Sequence, residues 1–212
     1  MIKIDRSAFD EPDNFDEKCR QKGAQWLLDH PKASRPKGNR RPKDFWSPFK
    51  GALATASKDL CAYGAMYEPA GTVDHFDSVD NNESLAYEWT NYRFSSGWIN
   101  SSKNKATTIL DPFIVEDGWF EILLPSLQLV TVPANIPEQY KQIAEATLTR
   151  LHLRDDERVI RQRRKWLAMF QSNKLTLDGL HEMAPLIARA VEKQRQQQQL
   201  AQTVEIPAEE GG

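Results

Sequence analysis

Between Thr72 and Lys105 the chain changes its local pattern three times, and this stretch constrains the fold more than any other. Thr72 to Phe76 reads as an extended segment, Asn81 to Glu88 is polar and turn-rich, and Trp89 to Phe94 reads as extended again. Gly97 to Lys105 then takes helical spacing behind Ser95 and Ser96, residue types that open helices. Strand, loop, strand and helix in that order place the chain in the α+β class.

The flanks fit the same class. Ile2 to Ile4 predicts a short strand, and Asp13 to Asp29 a helix that Asp13 can cap, with Phe15, Cys19, Trp26 and Leu27 sharing a buried stripe. A further helix is expected over about Pro48 to Leu60. Cys61 to Tyr67 is strand-like and is expected to form a hairpin with Thr72 to Phe76 about a turn at Pro69 to Gly71. Trp119 to Val132 predicts another hairpin, broken at Pro125. Helical spacing then runs through Ile136, Tyr140, Ile143, Ala144, Thr147 and Leu151, and again through Val159, Ile160, Trp166, Leu167 and Phe170. A last helix is expected over Leu177 to Leu200, with Pro185 kinking it or starting a new turn. The expected organisation is N-terminal helices and a basic loop (1–60), an α+β core (61–132), a helical region (133–202) and a flexible tail (203–212).

Composition narrows the setting. Hydrophobic residues are 40% of the 212 and charged residues 27%, as in an ordinary folded domain. No stretch approaches the roughly 20 apolar residues that cross a bilayer, and MIKIDRSAF has no apolar signal core, so a cytoplasmic protein is expected. Cys19 and Cys61 are the only cysteines and are expected to stay thiols. A net charge of −2 gives no global attraction to nucleic acid, so any phosphate binding must come from a local patch. The candidate patch is HPKASRPKGNRRPKDF, where prolines and a glycine break regular structure and Lys32, Arg35, Lys37, Arg40, Arg41 and Lys43 cluster. A solvated linker and a phosphate clamp are both open for it.

The segment VDHFDSVDNNESLAYEWTNYRFSSGWINSSKNK, Val73 to Lys105, resembles the HNH nucleases, whose ββα-metal core carries an Asp-His pair on its first strand, a central Asn, and a metal-binding Asn or His on its helix. The downstream ILDPFIVEDGWFEI, Ile109 to Ile122, is similar to bacterial HNH proteins of the type that includes the PtuB subunit of Septu antiphage defence systems. The resemblance implies a ββα-metal core with N-terminal helices and a helical C-terminal region. It implies Asp74 and Asn100 as metal ligands, His75 as general base and Asn91 as the residue pinning the loop that orients His75.

Chemistry gives these residue types a reason to be there. Phosphodiester hydrolysis needs a base for water and a cation for the charge on phosphorus. Imidazole titrates near neutrality. Neighbours on a strand face opposite ways, leaving the Asp74 carboxylate free for a metal. Carboxylate and amide oxygens favour Mg²⁺ or Mn²⁺ over zinc. Lys103 and Lys105 are candidate phosphate contacts, with ordinary helix C-terminal charges as the bland alternative. Arg40, Arg41 and Lys43 are candidates for gripping the backbone.

Many HNH proteins also hold a structural zinc on two Cys-x-x-Cys pairs, which here would fall at Cys61, Gly64, Ser96 and Ile99. Three of the four thiolates are missing, so no structural zinc is expected, and Trp89, Phe94, Trp98 and Ile99 are expected to pack in its place. The resemblance implies a nucleic-acid substrate, DNA favoured over transfer or other RNA, and an ATPase partner docking on the C-terminal helices. The alternative is a binding or assembly subunit that keeps the HNH shape without turnover.

Overall fold

In the computed structural model, which describes residues 1–37 and 40–204, β1 (Thr72–His75) and β2 (Tyr92–Ser95) pair antiparallel with Thr72 opposite Ser95, Val73 opposite Phe94, Asp74 opposite Arg93 and His75 opposite Tyr92. Ser96, in extended conformation, turns the chain directly into α3 (Gly97–Lys103), which packs back on β1. Before them stand α1 (Lys22–Asp29) and α2 (Lys50–Ala56). After them come a second hairpin of β3 (Phe120–Leu123) and β4 (Gln128–Thr131), then α4 (Glu138–Arg150), α5 (Glu157–Gln171), α6 (Leu177–Met183) and α7 (Pro185–Val204). The fold is mixed α+β with two small antiparallel sheets.

The β1–β2 ribbon is a wall between two cores, which explains why all four residues of β2 are buried and show no inside–outside alternation. On one side Val73, Tyr92 and Phe94 pack with Phe15, Cys19, Phe49, Leu53, Tyr87 and Trp89 from the N-terminal elements and the β1–β2 loop. On the other side lies the larger core, which takes Tyr63 and Ile99, the β3–β4 hairpin and helices α4 to α7. Segments 61–132 and 133–202 therefore share one hydrophobic core. Trp89 and Phe94 serve the first side of the wall, Ile99 and Trp98 the second.

The stretch Ile109 to Ile122 fastens the wall to the large core. Asp111 receives both Nε (2.9 Å) and Nη2 (2.7 Å) of buried Arg93 and also caps the short turn at Phe113, whose ring lies 3.7 Å under the same guanidinium. Leu110 N donates to Thr147 Oγ1 of α4 at 2.7 Å. Arg93 is thus spent on holding the sheet.

Several local expectations need correcting. Ile2 to Ile4 is not a strand. Cys61 to Tyr67 does not pair with Thr72 to Phe76. It folds on itself through Cys61 N to Met66 O (3.0 Å) and Ala65 N to Cys61 O (2.8 Å), with Ala65 at φ 50° and a single bridge between Leu60 and Tyr67. A chain turning that tightly offers no second edge, so β1 takes β2 as its partner. The first helix begins with a π turn (Asp16–Gln21), burying Phe15 and Cys19 but leaving Trp26 and Leu27 half-exposed. The expected helix at Pro48 to Leu60 ends at Ala56, where Lys58 and Asp59 adopt positive φ. The last helix is two, broken where the sequence allowed a new turn: Ala184 leaves helical geometry (φ −156°, ψ 68°), Pro185 opens α7, and the Met183 carbonyl accepts Tyr67 N at 2.8 Å. Of the expected tail, residues 203–204 continue α7 and 205–212 lie outside the described residues, as do 38–39 of the basic loop.

Candidate active site

His75 is the last residue of β1, its ring on the face covered by the N-terminal elements. The residue is 6% exposed, and its ring meets Trp46 (centroids 4.6 Å, 85°) and Tyr92 (5.0 Å, 79°) edge-on. Nε2 lies 2.8 Å from the Ala86 carbonyl oxygen. A carbonyl can only accept, so Nε2 carries the hydrogen and the lone pair of the neutral ring sits on Nδ1. Burial draws the pKa down to about 4, against the pull of the Ala86 bond and the nearby Asp74 charge, so the ring is neutral at pH 7.

The loop that supplies Ala86 is tied at both ends by Asn91. Its Oδ1 accepts Asp77 N at 2.8 Å, and its Nδ2 donates to Asp77 O at 3.0 Å and Leu85 O at 3.1 Å. The Asn91 main-chain carbonyl accepts Phe76 N at 2.8 Å. Asn91 therefore bears on His75 through this loop and through the main-chain bond at Phe76.

Asp74 faces the other way, toward α3, and is 1% exposed. Its Oδ2 accepts the Tyr63 hydroxyl at 2.7 Å and its Oδ1 lies 3.0 Å from Lys103 Nζ. The same ammonium donates to the His75 main-chain oxygen at 2.6 Å. Burial first, and then the negative Asp74 carboxylate, hold the Tyr63 hydroxyl well above its usual pKa, so it stays a donor. One helical turn before Lys103, half-buried Asn100 donates from Nδ2 to Thr72 Oγ1 (3.1 Å) and Val73 O (3.3 Å). Residues three apart on a helix share a face, so Asn100 and Lys103 both look at β1.

Lys103, expected as a phosphate contact, is wholly buried in this structure, with its charge paired to Asp74. Lys105 is exposed just past α3, its carbonyl receiving Asn81 Nδ2 at 3.0 Å. In the basic loop Arg35 is likewise internal: it pairs with Glu83, donates to His30 O and Arg40 O, and stacks 4.6 Å over Trp26. Arg40, Arg41 and Lys43 remain exposed, with Arg41 and Lys43 lining a cleft with Trp26 and His30. Lys43 O accepts the Tyr87 hydroxyl at 2.8 Å, and Trp46, three residues on, rests on His75. The basic strip therefore lies on the His75 side of the sheet.

A divalent cation finds suitable donors on the Asp74 side. The Asp74 carboxylate and the His75 carbonyl are hard oxygens that already surround a positive charge, the Lys103 ammonium, standing where a cation would. These oxygens are of the kind that Mg²⁺ or Mn²⁺ takes, on condition that Lys103 withdraws; the Asn100 amide, on the same face of α3, gives its Nδ2 to Thr72 and Val73. The four positions where the resemblance puts zinc ligands also meet. Cys61 Sγ accepts Gly64 N at 3.3 Å and Ser96 N at 3.5 Å, and a Cβ on Gly64 would lie 3.5 Å from Ile99 Cδ1 and 3.6 Å from that sulfur. They bring one thiol, one hydroxyl and a hydrocarbon branch, and the Ser96 Oγ has no hydrogen-bond partner among the described residues.

Sequence reasoning missed three members of this arrangement: Tyr63, Trp46 and the internal role of Lys103. Only Lys103 carried a signal, its three-residue spacing from Asn100. No family model matches the chain, and no curated protein matches it.

Proposed function

We propose that this chain is a metal-dependent endonuclease of the HNH type, hydrolysing phosphodiester bonds in nucleic acid. The observation that carries the reading is the fixed His75 tautomer, with Nε2 committed to Ala86 and the Nδ1 lone pair left to accept a proton. Support comes also from the strand–loop–strand–helix unit and from Asn91 clamping the loop behind the histidine.

In this reading His75 Nδ1 takes a proton from water as the water oxygen bonds to phosphorus and one ester oxygen departs. Asp74 and Asn100 would hold the metal, with Tyr63 keeping the carboxylate oriented, and would thereby bring positive charge to the phosphoryl oxygens. Arg40, Arg41, Lys43 and Lys105 grip the backbone, contacts that position a strand without reading bases. DNA is the favoured substrate over RNA, and an ATPase partner on the C-terminal helices is carried over from the resemblance to PtuB-type proteins. The test is hydrolysis by purified His75→Ala and Asn100→Ala proteins. Loss of cutting in both, with the fold intact by circular dichroism, is expected; full activity in both removes the proposal.

One observation favours a second reading, a non-catalytic subunit of HNH shape: Asp74 and Lys103 neutralise each other in the interior. Calorimetric titration with Mn²⁺ separates the two. Binding that Asp74→Ala abolishes speaks for the nuclease, because a scaffold has no need of a cation.

A further inference from the structure

The position proposed for the metal is held by a charge of the protein's own. Lys103 Nζ sits 3.0 Å from Asp74 Oδ1 and 2.6 Å from the His75 carbonyl, and both side chains of the ion pair are 1% exposed. A divalent ion using the same two oxygens would lie within a few ångströms of this ammonium. In a buried, low-dielectric setting that repulsion is severe, so metal and ammonium exclude each other there. The ammonium cannot simply leave either, since a buried lysine charge without a partner is costly. It needs another anion to go to.

We propose that Lys103 is a tethered cation that competes with the metal for Asp74 and is drawn off by a phosphate of bound nucleic acid. This deepens the nuclease reading and rests on it in naming the phosphate. The local chain is suited to such an exchange. Lys103 is the last residue of α3, and Asn104, at φ 51°, turns the chain away immediately after it. Its flexible four-carbon stem can carry the ammonium several ångströms while the backbone stays in place. The Lys103 carbonyl is itself held, at 3.4 Å, by Arg150 of α4. Asp74 keeps its hydrogen bond from Tyr63 throughout, so the carboxylate is still aimed when the metal arrives. Metal and nucleic acid then bind with positive coupling, each tightening the other by the same factor.

The test is Mn²⁺ titration calorimetry on full-length wild type and Lys103→Met, each alone and with a short phosphorothioate DNA duplex. A site held shut nine-tenths of the time weakens apparent affinity about tenfold. Lys103→Met is therefore expected to bind Mn²⁺ at least about tenfold tighter than wild type without DNA. The gain on adding DNA is expected to be larger in wild type than in the variant. Equal or weaker Mn²⁺ binding by Lys103→Met, or an equal DNA gain in both, overturns the proposal. If Lys103→Met does not fold alone, Lys103→Gln, whose amide still donates to Asp74, replaces it. Should both be unfolded, refolding by Mn²⁺ is the expected result and failure to refold the overturning one. Cutting by wild type without tighter Mn²⁺ binding in the variants removes the competition and leaves the nuclease. Tighter binding with no cutting in any assay does the reverse.

Discussion

Adjacent residues on a strand point to opposite faces, and on β1 this gives Asp74 and His75 two different surroundings. His75 is among aromatic rings with a pKa of about 4, whereas the unfolded chain holds it near 6.5. Between those values the unfolded state binds the extra proton, so stability is full above pH 6.5 and falls as pH drops toward 4. The loss amounts to up to about 3 kcal/mol. Urea melts from pH 7 to pH 4 are expected to show that slope in wild type and a shallower one in His75→Gln. For Asp74, replacement by Ala strands the Lys103 charge in the interior and is expected to cost about 3–5 kcal/mol. The double variant Asp74→Asn/Lys103→Met is expected to recover much of this in the same melts, because neither charge remains unpaired.

At the scale of elements, the loop between β1 and β2 is the part that must be rigid for His75 to keep its tautomer. Asn91→Ala removes three hydrogen bonds from that loop and is expected to cost roughly 2–3 kcal/mol. Hydrogen exchange at residues 77–88 should speed up while α4 to α7 stay protected. The Cys61 turn makes a separate prediction. Its four positions converge with room for a Cβ at Gly64, so the triple variant Gly64→Cys/Ser96→Cys/Ile99→Cys is expected to bind one zinc with Cys61. Metal analysis after dialysis checks this, and a zinc-free triple variant would mean that the four positions do not form a tetrahedral site.

How far these elements could be read in the sequence depended on what each signal encodes. Hydrophobic period specified the β3–β4 hairpin and helices α4 and α5, because such patterns are local, and α3 begins after Ser96 as read although the Ser96 hydroxyl makes no cap. Alternation marked Cys61 to Tyr67 as extended but says nothing about which edge an extended segment finds, and the turn at Ala65 settled that differently. Asp74, His75, Asn91 and Asn100 were grouped by the resemblance and their order, and the fold puts the first two on opposite faces of β1. The pairing of Asp74 with Lys103 and Tyr63 was not legible, because it joins three segments whose approach only the packed fold determines.

Over the whole molecule, the two-stranded wall carries the His75 ring on one face and the Asp74 carboxylate on the other, with N-terminal helices behind the first and the large C-terminal core behind the second. No helix among the described residues is long and apolar enough to cross a membrane. With a net charge of −2, the proposed backbone grip falls to the exposed strip on the His75 side. Arg40→Glu/Arg41→Glu/Lys43→Glu is expected to weaken DNA binding and to make the log–log salt dependence shallower by about 2–3, readable by fluorescence anisotropy. The most direct measurement is incubation of supercoiled plasmid and total transfer RNA with wild type and His75→Ala, in Mg²⁺ or Mn²⁺ and in EDTA. The expected result is cutting that needs both metal and His75, in the plasmid before the RNA. Cutting that persists in EDTA or in His75→Ala, or substrates left intact by wild type in every lane, would contradict the nuclease site described above.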